Sequence, residues 1–385
     1  MNKKVASFIC LAFVFIFIFA AISGGLRLLL SRNGEITFAD EQISAKAMCV
    51  MESSSKRVLY CKDEELKLPM ASTTKIMTAI TAIENCHNLD QTFEISPKAV
   101  GISGTSIYLR QGEVMSTRDL LYGLMLVSGN DASVAIAEHV AGDTKAFVDL
   151  MNKTAKNIGA KNSHFDNTHG LDSKTHYTTA YDLALITSYA LRNPIFKEIV
   201  STKSIKLTSA DGKERYLKNK NKLLNLLDGC NGVKTGYTDD AGRCLVSSCQ
   251  RDGMNVVCVV LNCHPMFEES AKLIDQAFSE YHMFDLTNGY SFNKQIPVNE
   301  GRDNFVKIDS YDKVYYPLKD SELAKVSYEY KIMQSIDAPV TKGSEVGEIK
   351  IYIDKNLHFS QKIYTMEDVR RNSIWSRLKS LIEEW

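Results

Sequence analysis

Strand-forming segments lie at both ends of a long helical stretch, and this order limits the fold more than any other feature of the chain. "KAMCVMESSSKRVLYCKDE" (46–64) reads as two strands around a Ser-rich turn. "CNGVKTGYT", "GRCLVSSCQ" and "MNVVCVVLNC", between Cys230 and Cys263, are rich in β-branched residues and separated by turn signals, with "QRDG" a good hairpin turn. Between these ends the pattern is helical. An apolar run covers Ile76 to Ile83, Ser116 and Asp119 form a capping pattern before "LLYGLMLVSG", and "DASVAIAEHVAG" follows Asn130. "DTKAFVDLMNKTAKNIGA" is amphipathic, Thr179 and Asp182 cap "AYDLALITSYALRN", and "MFEESAKLIDQAFSEYHMF" closes the unit. The order predicts an α+β domain over 38–285, with one antiparallel sheet assembled from both of its ends.

A second unit over 288–365 contains "NFVKIDS", "KVYYPL", "KVSYEYKI", "VGEIKIYI" and "HFSQKIYT", all short alternating strands. No stretch there reads as helical, so a small all-β domain is expected. The last segment, 366–385, places Ile374, Trp375, Leu378, Leu381, Ile382 and Trp385 on one helical face, with Arg370, Arg371, Arg377 and Lys379 around the other side. Tryptophan prefers the membrane–water interface, so this basic amphipathic helix is expected to bind a membrane surface. At the other terminus, 1–30, Lys3 and Lys4 precede an uncharged apolar run from Val5 to Leu26. That reads either as an export signal, with Ala21 and Ser23 before a cleavage point, or as an uncleaved membrane segment. Both deliver the remainder outside the cytoplasm.

Composition is globular, at 44% hydrophobic and 24% charged residues. Lys+Arg and Asp+Glu both number 46, so no global basic bias argues for nucleic acid. No Cys/His cluster has metal-ligand spacing, and no metal or cofactor is expected. Cys49, Cys61, Cys86, Cys230, Cys244, Cys249, Cys258 and Cys263 mostly fall in apolar runs and read as small core residues with mostly free thiols.

Three motifs carry chemistry. In "LPMASTTKIMTAI", Ser72 stands three residues before Lys75 and so shares a helical face with it. A neutral lysine there can take the serine proton, which requires burial or a nearby positive charge to lower its pKa from about 10.4. Spacing alone says little, since Ser53/Lys56, Ser291/Lys294, Ser310/Lys313 and Ser376/Lys379 share it. Only Ser72/Lys75 opens an apolar helix. "LVSGNDAS" puts Ser128 and Asn130 on a tight turn between helices, where both can face one cleft; Asn is also an ordinary N-cap. "GVKTGYT" places Lys234 and Gly236 on one face of a strand. Gly236 permits close approach of a ligand or a second backbone, and Lys234 projects charge onto that face. An edge strand of this kind also pairs with extended peptides.

Ser-x-x-Lys, Ser-x-Asn and Lys-Thr-Gly, in that order, form the signature of penicillin-recognising serine enzymes. With "NTHGLD", "HYTTAYDLA" and "VKTGYTDDAGRCL", the chain resembles the D-alanyl-D-alanine carboxypeptidases among the low-molecular-mass penicillin-binding proteins. The resemblance covers nearly the whole exported chain, including the β-rich second domain and the terminal helix. It implies that Ser72 is the nucleophile and Lys75 its base. Ser128 is then a proton relay, Asn130 a holder of the peptide amide, and Lys234 with Thr235 the receptor of the substrate carboxylate. The oxyanion would lie between the backbone N–H groups of Ser72 and Tyr237. The implied partners are peptidoglycan stem peptides ending in D-Ala-D-Ala and, as acylating inhibitors, β-lactams.

Two departures stand out. Some relatives have histidine where Tyr237 follows Lys-Thr-Gly. Some also have an arginine in the region that here reads "LNCHPMFEESAKL". His169 and His176 read as structural loop residues. A β-lactamase would share the three motifs, but between Ala160 and Tyr181 there is no glutamate to serve as the extra deacylating base of one such class. A penicillin-binding sensor or scaffold without turnover is the non-enzymatic alternative, and a transpeptidase differs only in its acceptor.

Overall fold

The computed structural model describes residues 43–372. Both membrane-directed segments of the sequence reading, 1–30 and the amphipathic face from Ile374 to Trp385, lie outside that range. Among the described residues no helix is long and apolar enough to cross a membrane. The chain divides into two compact units. One gathers the chain up to Cys249 with Val256–Ile274, and the other gathers Gln250–Asn255 with the chain from Asp275 onward.

In the first unit, strands β1 (Ala47–Glu52) and β2 (Val58–Lys62) form the expected N-terminal hairpin. Helices α1 (Lys75–Asn85), α2 (Thr117–Leu126), α3 (Asn130–Ala141), α4 (Thr144–Ile158) and α5 (Ala180–Ala190) follow. The caps read from the sequence are present: Asp119 N–H donates to Ser116 Oγ at 3.1 Å and Asp182 N–H to Thr179 Oγ1 at 3.0 Å. Helix α6 (Pro194–Ser201) and a hairpin of β3 (Ser204–Thr208) and β4 (Glu214–Lys218) come next and were not anticipated. Strands β5 (Cys230–Thr238), β6 (Gly242–Arg251) and β7 (Met254–Leu261) return to the sheet, and α7 (Met266–Glu280) ends the run. Asp252 and Gly253, at φ +46° and +80°, make the tight turn between β6 and β7.

The sheet order is β2-β1-β7-β6-β5, so the N-terminal hairpin joins the C-terminal strands through antiparallel pairing of Ala47 with Leu261 and of Glu52 with Val256. Strand β5 is left at one edge. Helix α1 is buried from Lys75 to Ile83, as a helix apolar on every side must be, and packs against α2, α3, α4 and α5. Its threonines find partners inside: Thr78 Oγ1 donates to the Thr168 carbonyl at 2.7 Å. Cys244 and Cys249 on β6, Cys258 on β7 and Cys263 beyond it are buried, and burial pushes the Cys244 and Cys258 thiols up to about 12.

The second unit holds a six-stranded sheet in which Val326–Ile332, Glu345–Ile353, Asn356–Thr365, Phe305–Asp309, Gln295–Asn299 and Ile336–Asp337 lie side by side. Alternate residues such as Val306, Ile308, Ile349 and Ile363 fill its core. Two expectations need correction. A single helical turn, Asp320–Leu323, interrupts the strands, because the Lys319 N–H donates to Glu322 Oε2 at 2.9 Å and nucleates it. The first part of the segment expected as a terminal helix is extended instead. Val369 bridges to Val340 and Arg371 to Gly301, so 366–372 belongs to this β unit.

Candidate active site

Ser72 lies in a 3-10 turn, Ala71–Thr74, that runs directly into α1 at Lys75. Lys75 is fully buried. Its Nζ lies 3.0 Å from Ser72 Oγ, 2.7 Å from Asn130 Oδ1 and 2.5 Å from the His169 carbonyl oxygen. The carbonyl-type oxygens of Asn130 and His169 can only accept. A neutral amine has two N–H bonds for these two acceptors, and its lone pair then faces the serine hydroxyl. Burial, with the positive charges of Lys234 and Lys220, holds the Lys75 pKa well below its ordinary value. The amine is therefore poised as a base toward Ser72.

Asn130, at the first turn of α3, is the junction of the site. Its Oδ1 accepts from Lys75, while its Nδ2 donates to the Ser103 carbonyl at 2.6 Å and its N–H to the Thr105 carbonyl at 2.7 Å. Ser128, two residues earlier, is held at φ +70° in the α2–α3 turn. Its buried Oγ has no hydrogen-bond partner among the described residues. Such an orphan costs stability and points to a chemical role.

Lys234 on β5 is 1% exposed, which rules out a lysine snorkelling from a surface strand. Its Nζ donates to the Thr235 carbonyl at 2.9 Å. Burial and the charge of Lys220 draw its pKa down to about 7. Thr235 is half-buried on the alternate face. Gly236 meets the Ser72 turn: a Cβ there would stand 3.1 Å from Ala71 Cβ, the Met70 carbonyl oxygen and the Ser72 nitrogen. This is the close backbone approach that the sequence suggested. Tyr237 points outward, its hydroxyl 2.9 Å from Asp239 Oδ1 and its ring under Arg243. All eight sequence-predicted residues thus sit on the Ser72 turn, the head of α3 and edge strand β5, which converge on Lys75.

Other participants were not legible in advance. His169 contributes its backbone oxygen. His176 accepts at Nδ1 from the Asp166 N–H (3.0 Å), so Nε2 carries the hydrogen and donates to Thr74 Oγ1 (2.8 Å). Thr74 Oγ1 in turn donates to the Ala71 carbonyl at 2.8 Å. Burial lowers the His176 pKa to about 4, which keeps this relay neutral. His176 is structural, as expected, but it holds the turn that carries Ser72. Gly170, at φ +91°, lets the same loop press on Ala71; a Cβ would come within 1.9 Å of the Ala71 oxygen. Lys220 was overlooked because it lies in a lysine-rich stretch. Asn221, beside it, anchors the segment by donating to the Gly232 carbonyl at 2.7 Å.

A serine facing a buried lysine whose pKa is lowered, an orphan second serine and a lysine-bearing edge strand define a penicillin-recognising serine hydrolase. Comparison with known proteins narrows the class. Residues 34–264 match the D-alanyl-D-alanine carboxypeptidase family of peptidases (S11), and 284–371 match the C-terminal domain of penicillin-binding protein 5. The chain is 32% identical over 349 residues to the D-alanyl-D-alanine carboxypeptidase DacF of Bacillus subtilis (strain 168), covering 89% of this chain and 90% of that one. The crystal structure of penicillin binding protein 5 from Haemophilus influenzae aligns with a TM-score of 0.71 at 27% identity, covering 86% of this chain and 99% of that one. DacD from Francisella tularensis aligns with a TM-score of 0.67 at 28% identity, over 90% and 98%. The chain belongs to the D-alanyl-D-alanine carboxypeptidase family.

The Gly236 contact gives a direct test. Gly236→Ala leaves the fold intact but presses on the Ser72 turn, which must give by a few tenths of an ångström. A displacement of that size, well short of the ~1 Å that costs about a hundredfold, is expected to lower kcat/KM by about threefold to tenfold. Unchanged turnover at unchanged melting temperature would show that the spacing is not critical.

Proposed function

We propose that the protein removes the terminal D-alanine from peptidoglycan stem peptides through an acyl-enzyme on Ser72. The carrying observation is the buried Lys75 amine, with two carbonyl-type acceptors and its remaining position on Ser72 Oγ. Lys75 takes the hydroxyl proton as Oγ attacks the carbonyl carbon of the penultimate D-alanine. The tetrahedral oxyanion is held by the N–H groups of Ser72 and Tyr237. Asn130 orients the substrate amide. Ser128 passes the proton to the leaving D-alanine nitrogen, and this role supplies the partner its hydroxyl lacks. Lys234 and Thr235 receive the terminal carboxylate. Water then attacks the acyl carbonyl, Lys75 again taking a proton, and the shortened peptide leaves as a free acid. β-Lactams acylate the same serine. No step needs a metal or cofactor.

In this reading the chemistry lies on the extracytoplasmic side, facing the cell wall, and the apolar N-terminal run supports that location. The amphipathic face between Ile374 and Trp385 holds the enzyme to the membrane surface.

Release of free D-alanine from a peptide ending in D-Ala-D-Ala is expected for the wild type and lost in Ser72→Ala. Equal release by both proteins would remove Ser72 from the mechanism, and release by neither would sink the carboxypeptidase reading. The Lys234 pKa near 7 adds a pH signature. As pH rises through this value the free enzyme loses the cation that receives the carboxylate, so kcat/KM falls on the alkaline side. Lys220→Ala removes a neighbouring positive charge, favours protonated Lys234 and moves that limb to higher pH; an unmoved limb would detach it from Lys234. For the terminus, deleting 373–385 moves a signal-cleaved protein from the membrane to the soluble fraction. Retention on the membrane would assign anchoring to the N-terminal segment.

A further inference from the structure

Tyr108 is the most exposed large apolar side chain among the described residues, at 79%, yet its backbone is among the most tightly held. It sits at φ +59°, a left-handed conformation that is unfavourable for an aromatic residue. The arch around it forces that conformation. The Ile107 and Leu109 N–H groups both donate to the buried Asp131 carboxylate at 3.0 Å, and the Tyr108 N–H donates to Ser106 Oγ at 2.8 Å. The Tyr108 carbonyl accepts from Lys213 Nζ at 2.9 Å and from Arg215 Nη2 at 3.1 Å. Arg215 is fixed in turn by a buried pair with Glu113, Nη2 to Oε2 at 2.7 Å. Ile107 and Leu109 point inward and are buried, so the arch turns Tyr108 alone outward.

The same arch is tied to the catalytic residues. Asp131 follows Asn130 directly, and Asn130 bonds the carbonyls of Ser103 and Thr105 just ahead of Tyr108. The backbone that carries the ring is therefore fixed relative to Asn130. Other exposed tyrosines nearby are occupied. Tyr216 has Lys206 against its ring and Glu214 on its hydroxyl, and Tyr237 has Arg243 and Asp239. Tyr108 has no ring or hydroxyl partner among the described residues. Strain held in place by such redundant bonds, around a bare aromatic face beside an active site, is the pattern of a preorganised contact.

We propose that Tyr108 is a carbohydrate-stacking platform, receiving a sugar ring of the glycan strand that carries the stem peptide. The assignment rests on the carboxypeptidase reading and extends it from the peptide to the polymer. An apolar peptide side chain would seek a groove. Here a single flat ring stands among exposed Ser103, Thr105, Arg110 and Gln111. A pyranose matches that surface, because its C–H face packs on an aromatic ring and its hydroxyls meet the polar surround.

The test compares D-alanine release from two substrates, a sugar-free acylated peptide and the same stem peptide carried on its disaccharide. Tyr108→Ala is expected to raise KM about fivefold to tenfold on the disaccharide substrate, with kcat unchanged and the sugar-free substrate unaffected. Tyr108→Phe keeps the wild-type KM. Tyr108→Asn, a residue that tolerates the left-handed conformation, matches the alanine variant in KM while melting no lower than wild type. Equal KM changes on both substrates, no change on either, or a lower melting temperature for Tyr108→Asn would each overturn the proposal. Failure of the wild type on both substrates would instead count against the carboxypeptidase reading.

Discussion

A lysine amine kept out of water, between two carbonyl-type acceptors and the Ser72 hydroxyl, is the constraint on which the rest of the site depends. Lys75 occupies the first turn of a helix that is buried on every side, and an ammonium there would bear a heavy desolvation cost. Two carbonyl-type oxygens, from the head of α3 and from the loop at His169, fix the amine without supplying a negative charge. The positive charges of Lys234 and Lys220 push in the same direction. The base is thus produced by location, and the local sequence around Ser72 needs only to deliver the hydroxyl.

That delivery depends on three contacts with one short turn. Gly236 presses on it from β5, Gly170 presses on Ala71 from the opposite loop, and the His176–Thr74 relay ties down the Ala71 carbonyl. Ala71 itself adopts φ +49°. A strained alanine beside Ser72 is tolerated because surrounding backbone leaves the turn no alternative. Neutral His176 matters here, since an imidazolium could not accept the Asp166 N–H.

How much of this was legible follows from the kind of atom involved. Side chains with distinctive chemistry announced themselves: Ser72, Lys75, Ser128, Asn130, Lys234 and Gly236 stood out by type, order and neighbouring pattern. The sheet built from both ends was readable because β1 and β2 flank a Ser-rich turn and β5–β7 are rich in β-branched residues, while the middle carries helix caps. Backbone roles were silent. The carbonyl of His169 would serve as well from another residue, so nothing in its side chain marks it. The β3–β4 hairpin was missed because its apolar positions are few and lie among lysines. Helix α6 is short, but Asn193 as its cap, Pro194 at its first position and the apolar Phe196, Ile199 and Val200 were readable signals. The pairing of Arg215 with Glu113 spans distant segments and leaves no local trace. Residues 366–372 were assigned to the terminal helix because the charge pattern there is continuous, whereas Val369 is claimed by a bridge to Val340.

The order of strands in the first unit also governs how the chain can acquire its structure. Strand β1 pairs with β7, about two hundred residues later, so the central sheet is dominated by non-local contacts and should close slowly. As the chain is made from its N-terminus, β1 and β2 emerge long before their partner. They wait as an unpaired hairpin with an apolar face, while the helices form by local contacts. Sheet closure then brings β5 alongside the Ser72 turn. Assembly of the site is therefore a late event, gained only after Leu261 has emerged, and an incompletely synthesised chain would lack it.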